Sequence, residues 1–283
     1  MNIINRLIAK CIVGYNTKNH VKIFKNTLYW INNDSTLMAN VAKSISRQEI
    51  IKENDKLAGD IITRDKQCQI KITKNKTFEA ARNYSLPKVC VLNFASATSP
   101  GGGVVISKGP SGQEECLCRA STLYKCINTE YVLKQFYIQQ KNGNNLHNDD
   151  IIYTPNVVVF KDDDNNLMDK KQWFSVDVIS CAAPNIGKYQ KGESHTTSID
   201  AIELMHIHEK RARRILDVAV HHNVDVLILG AFGCGAFGNP PDIVAEAYKK
   251  VIVDYYNCFN DIEFAIYCQN NEYNYQTFKH ILI

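Results

Sequence analysis

The chain has 283 residues, of which 45% are apolar and 22% charged, and a formal net charge of +4 at pH 7. That length and apolar content exclude a disordered chain and allow one large domain or a domain with an extension. Lys and Arg are spread along the chain, so no general nucleic-acid grip is demanded, although an anionic ligand is easily accommodated.

The 10 cysteines sit singly inside apolar runs such as Val89-Cys90-Val91 and Ile179-Ser180-Cys181-Ala182. In a chain this long they read as reduced core thiols of an intracellular protein, cytoplasmic or nuclear, and not as a disulfide framework. The stretch from Met1 to Tyr15 is interrupted by Arg6 and Lys10 and lacks the pattern of a signal peptide. No apolar run approaches the roughly 20 residues of a membrane span.

In chain order, residues 1–60 alternate short apolar clusters with Asn, Lys and Asp and are expected to form a helical N-terminal extension, followed by one domain over 61–283. From Gln67 the pattern predicts strands at Gln69 to Ile72, Lys88 to Phe94, Val157 to Phe160, Val176 to Cys181, Val224 to Leu229 and Ile262 to Cys268. Helices are predicted between them at Thr77 to Tyr84, Glu114 to Gln139, Ser198 to His222 and Pro241 to Tyr256. Such alternation argues for a mostly parallel sheet covered on both faces, whose ligands bind beyond the carboxyl ends of the strands.

Two loops stand at such ends. The first follows Phe94, runs through Gly101-Gly102-Gly103 and reaches Gln113-Glu114-Glu115 at the start of a helix. Consecutive glycines allow close backbone approach to a phosphate or ribose. Carboxylates in a first helical turn are commonly dipole-stabilising only. Beside a ligand loop, however, mutual repulsion and partial burial would raise one pKa enough to retain a proton near neutral pH, the condition for a general acid.

The second loop reads Gly230-Ala231-Phe232-Gly233-Cys234-Gly235-Ala236-Phe237-Gly238, before Asn239 as expected N-cap and Pro241 in the first helical turn. Backbone N–H groups of loop and helix there suit a diphosphate. Gly233, Gly235 and Gly238 also satisfy a dinucleotide fingerprint, but Cys268-Gln269 stand where a ribose-binding carboxylate would end the next strand. No Gly-Lys-Ser/Thr ends either run, which excludes a P-loop.

Other features carry no site. Asp162-Asp163-Asp164-Asn165-Asn166 lacks the Gly and Glu of a calcium loop and reads as a solvated turn. His206, His208, His221 and His222 have no zinc-ligand spacing and read as structural, and Cys116 and Cys118 cannot face each other on a helix, so no metal is expected. Lys210-Arg211 and Arg213-Arg214 read as an exposed helix face.

Gly101-Gly102-Gly103, separated by nine residues from Gln113-Glu114-Glu115, followed by Leu117-Cys118-Arg119 and Ser121-Thr122-Leu123-Tyr124, resembles the microbial-type poly(ADP-ribose) glycohydrolase family. Asn93-Phe94-Ala95, Tyr153-Thr154-Pro155-Asn156-Val157, Ala183-Pro184-Asn185 and Gly230 to Gly238 follow in the family's order. The resemblance spans roughly Gln67 to Cys268, and residues 1–60 carry little of it. Two departures are a slightly long segment from Val105 to Gly112 and Cys116, a position more often acidic in the family.

The resemblance implies a macrodomain-like three-layer α/β/α sandwich with a mixed, mostly parallel central sheet. It implies a glycoside hydrolase acting on ribose–ribose bonds of poly(ADP-ribose) on modified proteins, of exo type, with Glu115 as general acid/base and Glu114 on the ribose hydroxyls. Adjacent carboxylates cannot flank a sugar from opposite faces, which disfavours the usual two-carboxylate displacement. By the same resemblance Gly101, Gly102 and Gly103 wrap the reacting ribose and Gln113 belongs to the site. Phe232, Gly233, Cys234, Gly235, Ala236 and Phe237 bind the diphosphate and distal ribose, Asn185 lies toward the adenine, and Asn93 positions ribose. A monomer without cofactor or metal is expected, with no membrane or direct nucleic-acid contact. The competing classes are a mono-ADP-ribosyl hydrolase, a silent ADP-ribose-binding module and, more remotely, a nicotinamide-dependent oxidoreductase.

Overall fold

Runs such as Val89-Cys90-Val91-Leu92 and Val226-Leu227-Ile228-Leu229 are apolar at every position, as strands covered on both faces require. In the computed structural model, which describes residues 20–57, 63–105, 112–141, 143–187 and 199–283, these runs lie at the centre of one seven-stranded sheet. The strands are β1 Glu49–Ile51, β2 Gln69–Thr73, β3 Val89–Phe94, β4 Ile151–Val159, β5 Phe174–Cys181, β6 Val226–Leu229 and β7 Asp261–Ala265, in the spatial order β1-β4-β5-β3-β6-β7-β2. Pairing is parallel from β5 through β3, β6 and β7 to β2, and β4 runs antiparallel to both of its neighbours, so the sheet is mixed and mostly parallel.

Alternate side chains of one strand face opposite layers. Cys90, Leu92, Leu227 and Leu229 pack under α7 (Ala201–His221), α8 (Pro241–Ile252) and α9 (Tyr273–Leu282), where they meet Ile215, Leu216, Val244, Tyr248 and Phe278. Val89, Val91, Val226 and Ile228 pack against the other layer, meeting Phe78 of α3 (Thr77–Arg82), Leu117 of α4 (Gln113–Ala120), Leu123 of α5 (Leu123–Ile127) and Phe136 of α6 (130–141). Each such buried side chain contributes about 1.5–3 kcal/mol. The result is the macrodomain-like sandwich expected, and the carboxyl ends of β3 and β6 lie side by side.

The strand β1, within the segment read as helical, and the helix Tyr273–Leu282 were not anticipated, and three further elements differ from the sequence reading. The helix predicted over Glu114 to Gln139 is three helices. At its first break Ser121 is extended and bridges Val159, Thr122 Oγ1 accepts the Val158 N–H at 3.0 Å, and Ser121 Oγ accepts the Leu123 N–H, so hydroxyls compete with the helical ladder. Strand β4 starts at Ile151, earlier than its Pro155-Asn156 pair suggests. The chain passes that pair in a bulge with Asn156 at φ +56°, and Asp177 accepts the Asn156 N–H at 2.9 Å and the Tyr153 hydroxyl. The basic run of α7 is no plain exposed face: Arg211 is buried and donates to Asp149 and to the carbonyls of Leu146, His147 and Ala182.

The N-terminal segment contributes α1 (His20–Asn33), α2 (Ser35–Ser46) and β1, which joins the sheet beside β4. From α1, Thr27 Oγ1 donates to the Arg119 carbonyl at 2.5 Å, bracing the end of α4. Cysteines of the described residues are all free, and no helix among those residues is long and apolar enough to cross a membrane.

Candidate active site

The end of β3 and the start of α4 are tied by side chains. Gln113 Oε1 accepts the Phe94 N–H at 2.9 Å, while its Nε2 donates to the Leu92 carbonyl at 2.7 Å and to Thr77 Oγ1 at 3.1 Å. With its amide so engaged, Gln113 fixes where the next two residues point. Glu114 turns inward and is 3% exposed. Its Oε1 accepts from Asn93 Nδ2 at 3.2 Å and its Oε2 from the Ser96 N–H at 2.7 Å. Burial pushes its pKa up to about 8, with Glu115 adding to the rise, against the Ser96, Asn93 and Gly101 donors that favour the anion. The raised pKa anticipated for one of the pair thus falls on Glu114, whose burial keeps it from a departing group.

Glu115, by contrast, is partly exposed, and its Oε1 accepts the Gly103 N–H at 2.9 Å. The glycines around it are there for space. A Cβ on Gly102, whose φ is +56°, would lie 2.6 Å from Glu115 Oε1, and one on the N-cap Gly112 would collide with Oε2. A hydroxyl or carboxylate N-cap at position 112 would displace the carboxylate. Residues 106–111 of the long segment noted above lie outside the described residues.

Asn93 is fully buried at the end of β3, in register with Ser180 of β5, to whose hydroxyl its Nδ2 also donates at 3.0 Å. Its Oδ1 has no partner among the described residues. Ser96 and Ser180 complete this polar cluster and were not singled out in the sequence. The register of two parallel strands, which sequence does not display, is what brings Ser180 to Asn93.

The second loop carries no carboxylate. The N–H groups of Gly233, Gly235, Ala236 and Phe237 donate to no acceptor among the described residues, which leaves them for an anion. The helix end adds less than expected: the N-cap is Pro240 with Pro241 after it, and proline has no N–H. Asn239 lies one residue too early to cap. Its buried amide instead donates to the carbonyls of Pro184 at 2.7 Å and Gly233 at 3.0 Å, and its Oδ1 faces His208 Nε2 at 2.9 Å. Burial brings the His208 pKa down to about 4, so the neutral ring donates through Nε2. Asn239 thereby holds the Gly233 turn, where φ is +75° and a Cβ would lie 2.6 Å from Ala183 Cβ.

The other expected contacts divide. Phe232 is 1% exposed, its ring 5.6 Å from that of Phe94, so its side chain belongs to the core and couples the two loops. Cys234 is half-buried, and its Sγ faces the Phe232 carbonyl at 3.7 Å. Gly235 and Ala236 are exposed. The Phe237 carbonyl accepts the Ile186 N–H at 3.0 Å, and the Asn185 N–H donates to the Asn145 carbonyl at 2.8 Å, placing the Ala183-Pro184-Asn185 segment beside the second loop. His147 was not anticipated. Its ring is 6.3 Å from that of Phe237, and it lines a cavity of about 340 Å³ with Gln140, Asp149 and Arg211.

Comparison with known proteins places this geometry. The model of the catalytic domain of microbial-type PARG matches residues 17–162, so the family signature includes α1, α2 and β1, where the sequence reading found little resemblance. The chain is similar to the poly(ADP-ribose) glycohydrolase of Thermomonospora curvata, at 28% identity and a TM-score of 0.79 over 93% of this chain and 98% of that one. The same enzyme bound to the inhibitor ADP-HPD gives 28% identity and a TM-score of 0.77 with the same coverage. The poly(ADP-ribose) glycohydrolase of Deinococcus radiodurans in complex with ADP-ribose gives 28% identity and a TM-score of 0.74, over 86% of this chain and 96% of that one. A search of curated proteins gives no match. On the family match and the folds it shares, the chain belongs to the microbial-type poly(ADP-ribose) glycohydrolase catalytic-domain family.

Proposed function

We propose that this chain hydrolyses ribose–ribose O-glycosidic bonds of poly(ADP-ribose) and releases ADP-ribose from the chain end. The observation that carries this reading is Glu115: a partly exposed carboxylate fixed by the Gly103 N–H and enclosed by residues with no Cβ, beside a loop able to wrap a sugar. Of the two glutamates only Glu115 has access to a departing oxygen, since Glu114 is buried with both oxygens engaged.

Glu115 in its acid form protonates the departing ribose oxygen as the bond to the anomeric carbon breaks. Water then attacks that carbon, and the Glu115 carboxylate takes the water's proton, restoring the acid. The positive charge that develops on the sugar is stabilised by the carboxylate and by the substrate's own diphosphate. Gly101, Gly102 and Gly103 wrap the reacting ribose. Glu114 and the unpartnered Oδ1 of Asn93 form the floor on which ribose hydroxyls bind. The amides of Gly233, Gly235, Ala236 and Phe237, unpaired among the described residues, take the diphosphate, Phe237 packs on the distal ribose, and Asn185 with its neighbours borders the adenine. Gln113 and the side chain of Phe232 support this site from behind.

Every group named comes from one chain, so a monomer suffices, and the free cysteines suit a reducing intracellular compartment. The 1–60 extension acts as a brace of α4 through Thr27. The test is release of ADP-ribose from poly(ADP-ribose) by the wild type and by Glu115→Gln, with ADP-ribose affinity measured on both. Loss of release with retained affinity supports the reading, and early accumulation of monomeric product supports exo action. A wild type that binds ADP-ribose but releases none from polymer overturns it in favour of a binding module or a hydrolase of another ADP-ribose linkage.

A further inference from the structure

Glu49, His221 and His222 meet where the edge strand β1 begins and α7 ends. Glu49 opens β1, His221 ends α7 and His222 caps it, and the His222 carbonyl accepts from Lys88 Nζ at the foot of β3. Each of the three offers one ligand atom, and the three atoms lie within 4.8 Å of one another. Sequence spacing conceals the group, because its carboxylate comes from the far side of the domain in chain order.

The contact between Glu49 and His222 is no hydrogen bond, because their nearest atoms, Oε2 and Nε2, are 3.8 Å apart. His222 Nε2 is buried and has no hydrogen-bond partner among the described residues. The ring has no freedom to seek one. It is stacked on Tyr153 with centroids 3.4 Å apart and planes 2° from parallel, and Tyr153 is itself held by Asp177 and lies opposite Glu49 in the β1–β4 pair.

An unpartnered imidazole nitrogen on a stacked ring, facing a carboxylate and a second imidazole, is a ligand set. The 3.8 Å separation is close to the roughly 3.3 Å edge of a tetrahedron around an ion with bonds of about 2.0 Å. We propose that Glu49, His221 and His222 form a site for a zinc-type divalent cation that ties the edge strand β1 to the end of α7. Two imidazoles and one carboxylate suit zinc and not the all-oxygen shells of calcium or magnesium. A fourth position is left to water. The His222 end of α7 lies beside Lys88, before the amino end of β3, and Glu115 lies beyond the carboxyl end of β3, so the ion acts on stability and not on hydrolysis.

The test uses the full chain, stripped of metal with a chelator and titrated with zinc by calorimetry, alongside thermal unfolding. The expected result is one zinc per chain and a raised Tm. Glu49→Gln and His221→Ala, which change an exposed and a half-buried group, each weaken binding by at least about 10-fold and abolish the Tm rise, since losing even a supporting contact of a metal ligand costs about 10–100-fold. Release of ADP-ribose stays at the wild-type rate in both. Cobalt substitution separates this site from the cysteines: imidazole and carboxylate ligation gives no thiolate-to-metal charge-transfer bands. Absence of zinc binding, binding indifferent to both substitutions, or thiolate bands overturns the proposal, whatever the outcome for polymer hydrolysis.

Discussion

The two glycine loops end adjacent parallel strands, yet they are built on opposite electrostatic plans. In the first, backbone N–H groups are consumed by carboxylates: Ser96 donates to Glu114 and Gly103 to Glu115. In the second, the amides of Gly233, Gly235, Ala236 and Phe237 are left unpaired among the described residues, and a neutral side chain, Asn239, holds the turn from behind. Glycine thus serves two ends. At Gly102 and Gly112 it clears room for a side chain of the same loop, and at Gly233 it lets the backbone pass Ala183 and Asn239. A loop that presents acid and a loop that presents donors are what a substrate with a scissile sugar at one end of a diphosphate requires.

The sharpest way to separate the loops is to remove the charge from one. Glu115→Gln keeps the Gly103 contact and the shape of the first loop, so turnover of poly(ADP-ribose) should fall about 10²–10⁴-fold, the range for losing a general acid/base, while ADP-ribose affinity stays within a few-fold. Comparable loss of affinity would show that the two loops do not divide binding from chemistry. The converse change is Asn239→Ala. It strips the partners from the buried Pro184 carbonyl and from His208 Nε2, and leaves the Gly233 carbonyl only the backbone N–H of residue 239. Urea unfolding should report a loss of about 2–6 kcal/mol, since each of the two orphaned groups costs about 1–3 kcal/mol, and ADP-ribose binding should weaken with it. An unfolding midpoint equal to the wild type would mean that the second loop is not held by Asn239.

The division was only partly visible in the sequence. The all-apolar runs of β3 and β6 and the two glycine runs were legible, because strand burial and glycine both leave local signatures. The positions of Glu114, Glu115 and the second loop followed from them. What was hidden depends on where distant segments meet. The local reading of Asn239 was a helix cap, and only the approach of Pro184 and His208 turns it inward. Arg211 looked solvated because the carbonyls it satisfies lie some 30 to 65 residues away in the chain. Strand β4 was truncated in the reading because the bulge that accommodates Pro155 is stabilised by Asp177 from the neighbouring strand. Likewise Gln113 and Phe232 lie in motif positions but direct their side chains into the scaffold.

Charge burial gives a subtler test of the first loop. Glu114 has a folded pKa of about 8, above the ordinary 4.5. A raised carboxyl favours the folded state fully below the lower value, and that contribution declines as pH rises toward the higher one, by up to about 1.4 kcal/mol per pH unit. Wild-type stability should therefore fall between pH 4.5 and 8, and Glu114→Gln should flatten that fall in a series of denaturant titrations. Equal slopes for both proteins would mean that Glu114 is not desolvated as its burial implies.

The smallest effect on folding should come from Gly235→Ala, and it bears most directly on what the second loop is for. Gly233 could not accept a methyl group, at φ +75° with Asn239 Nδ2 at 2.5 Å from the added Cβ, so a loss at that position would confuse folding with binding. Gly235 is exposed, and a Cβ there meets nothing within 4 Å. Substitution should leave stability within about 0.5 kcal/mol. If a diphosphate lies against the unpaired amides of Gly235 and Ala236, the added methyl group stands between loop and ligand, and ADP-ribose affinity should drop about 10-fold, or about 1.4 kcal/mol. Affinity and stability that both stay at wild-type values would place the diphosphate elsewhere and leave the unpaired amides of Gly235 and Ala236 to solvent.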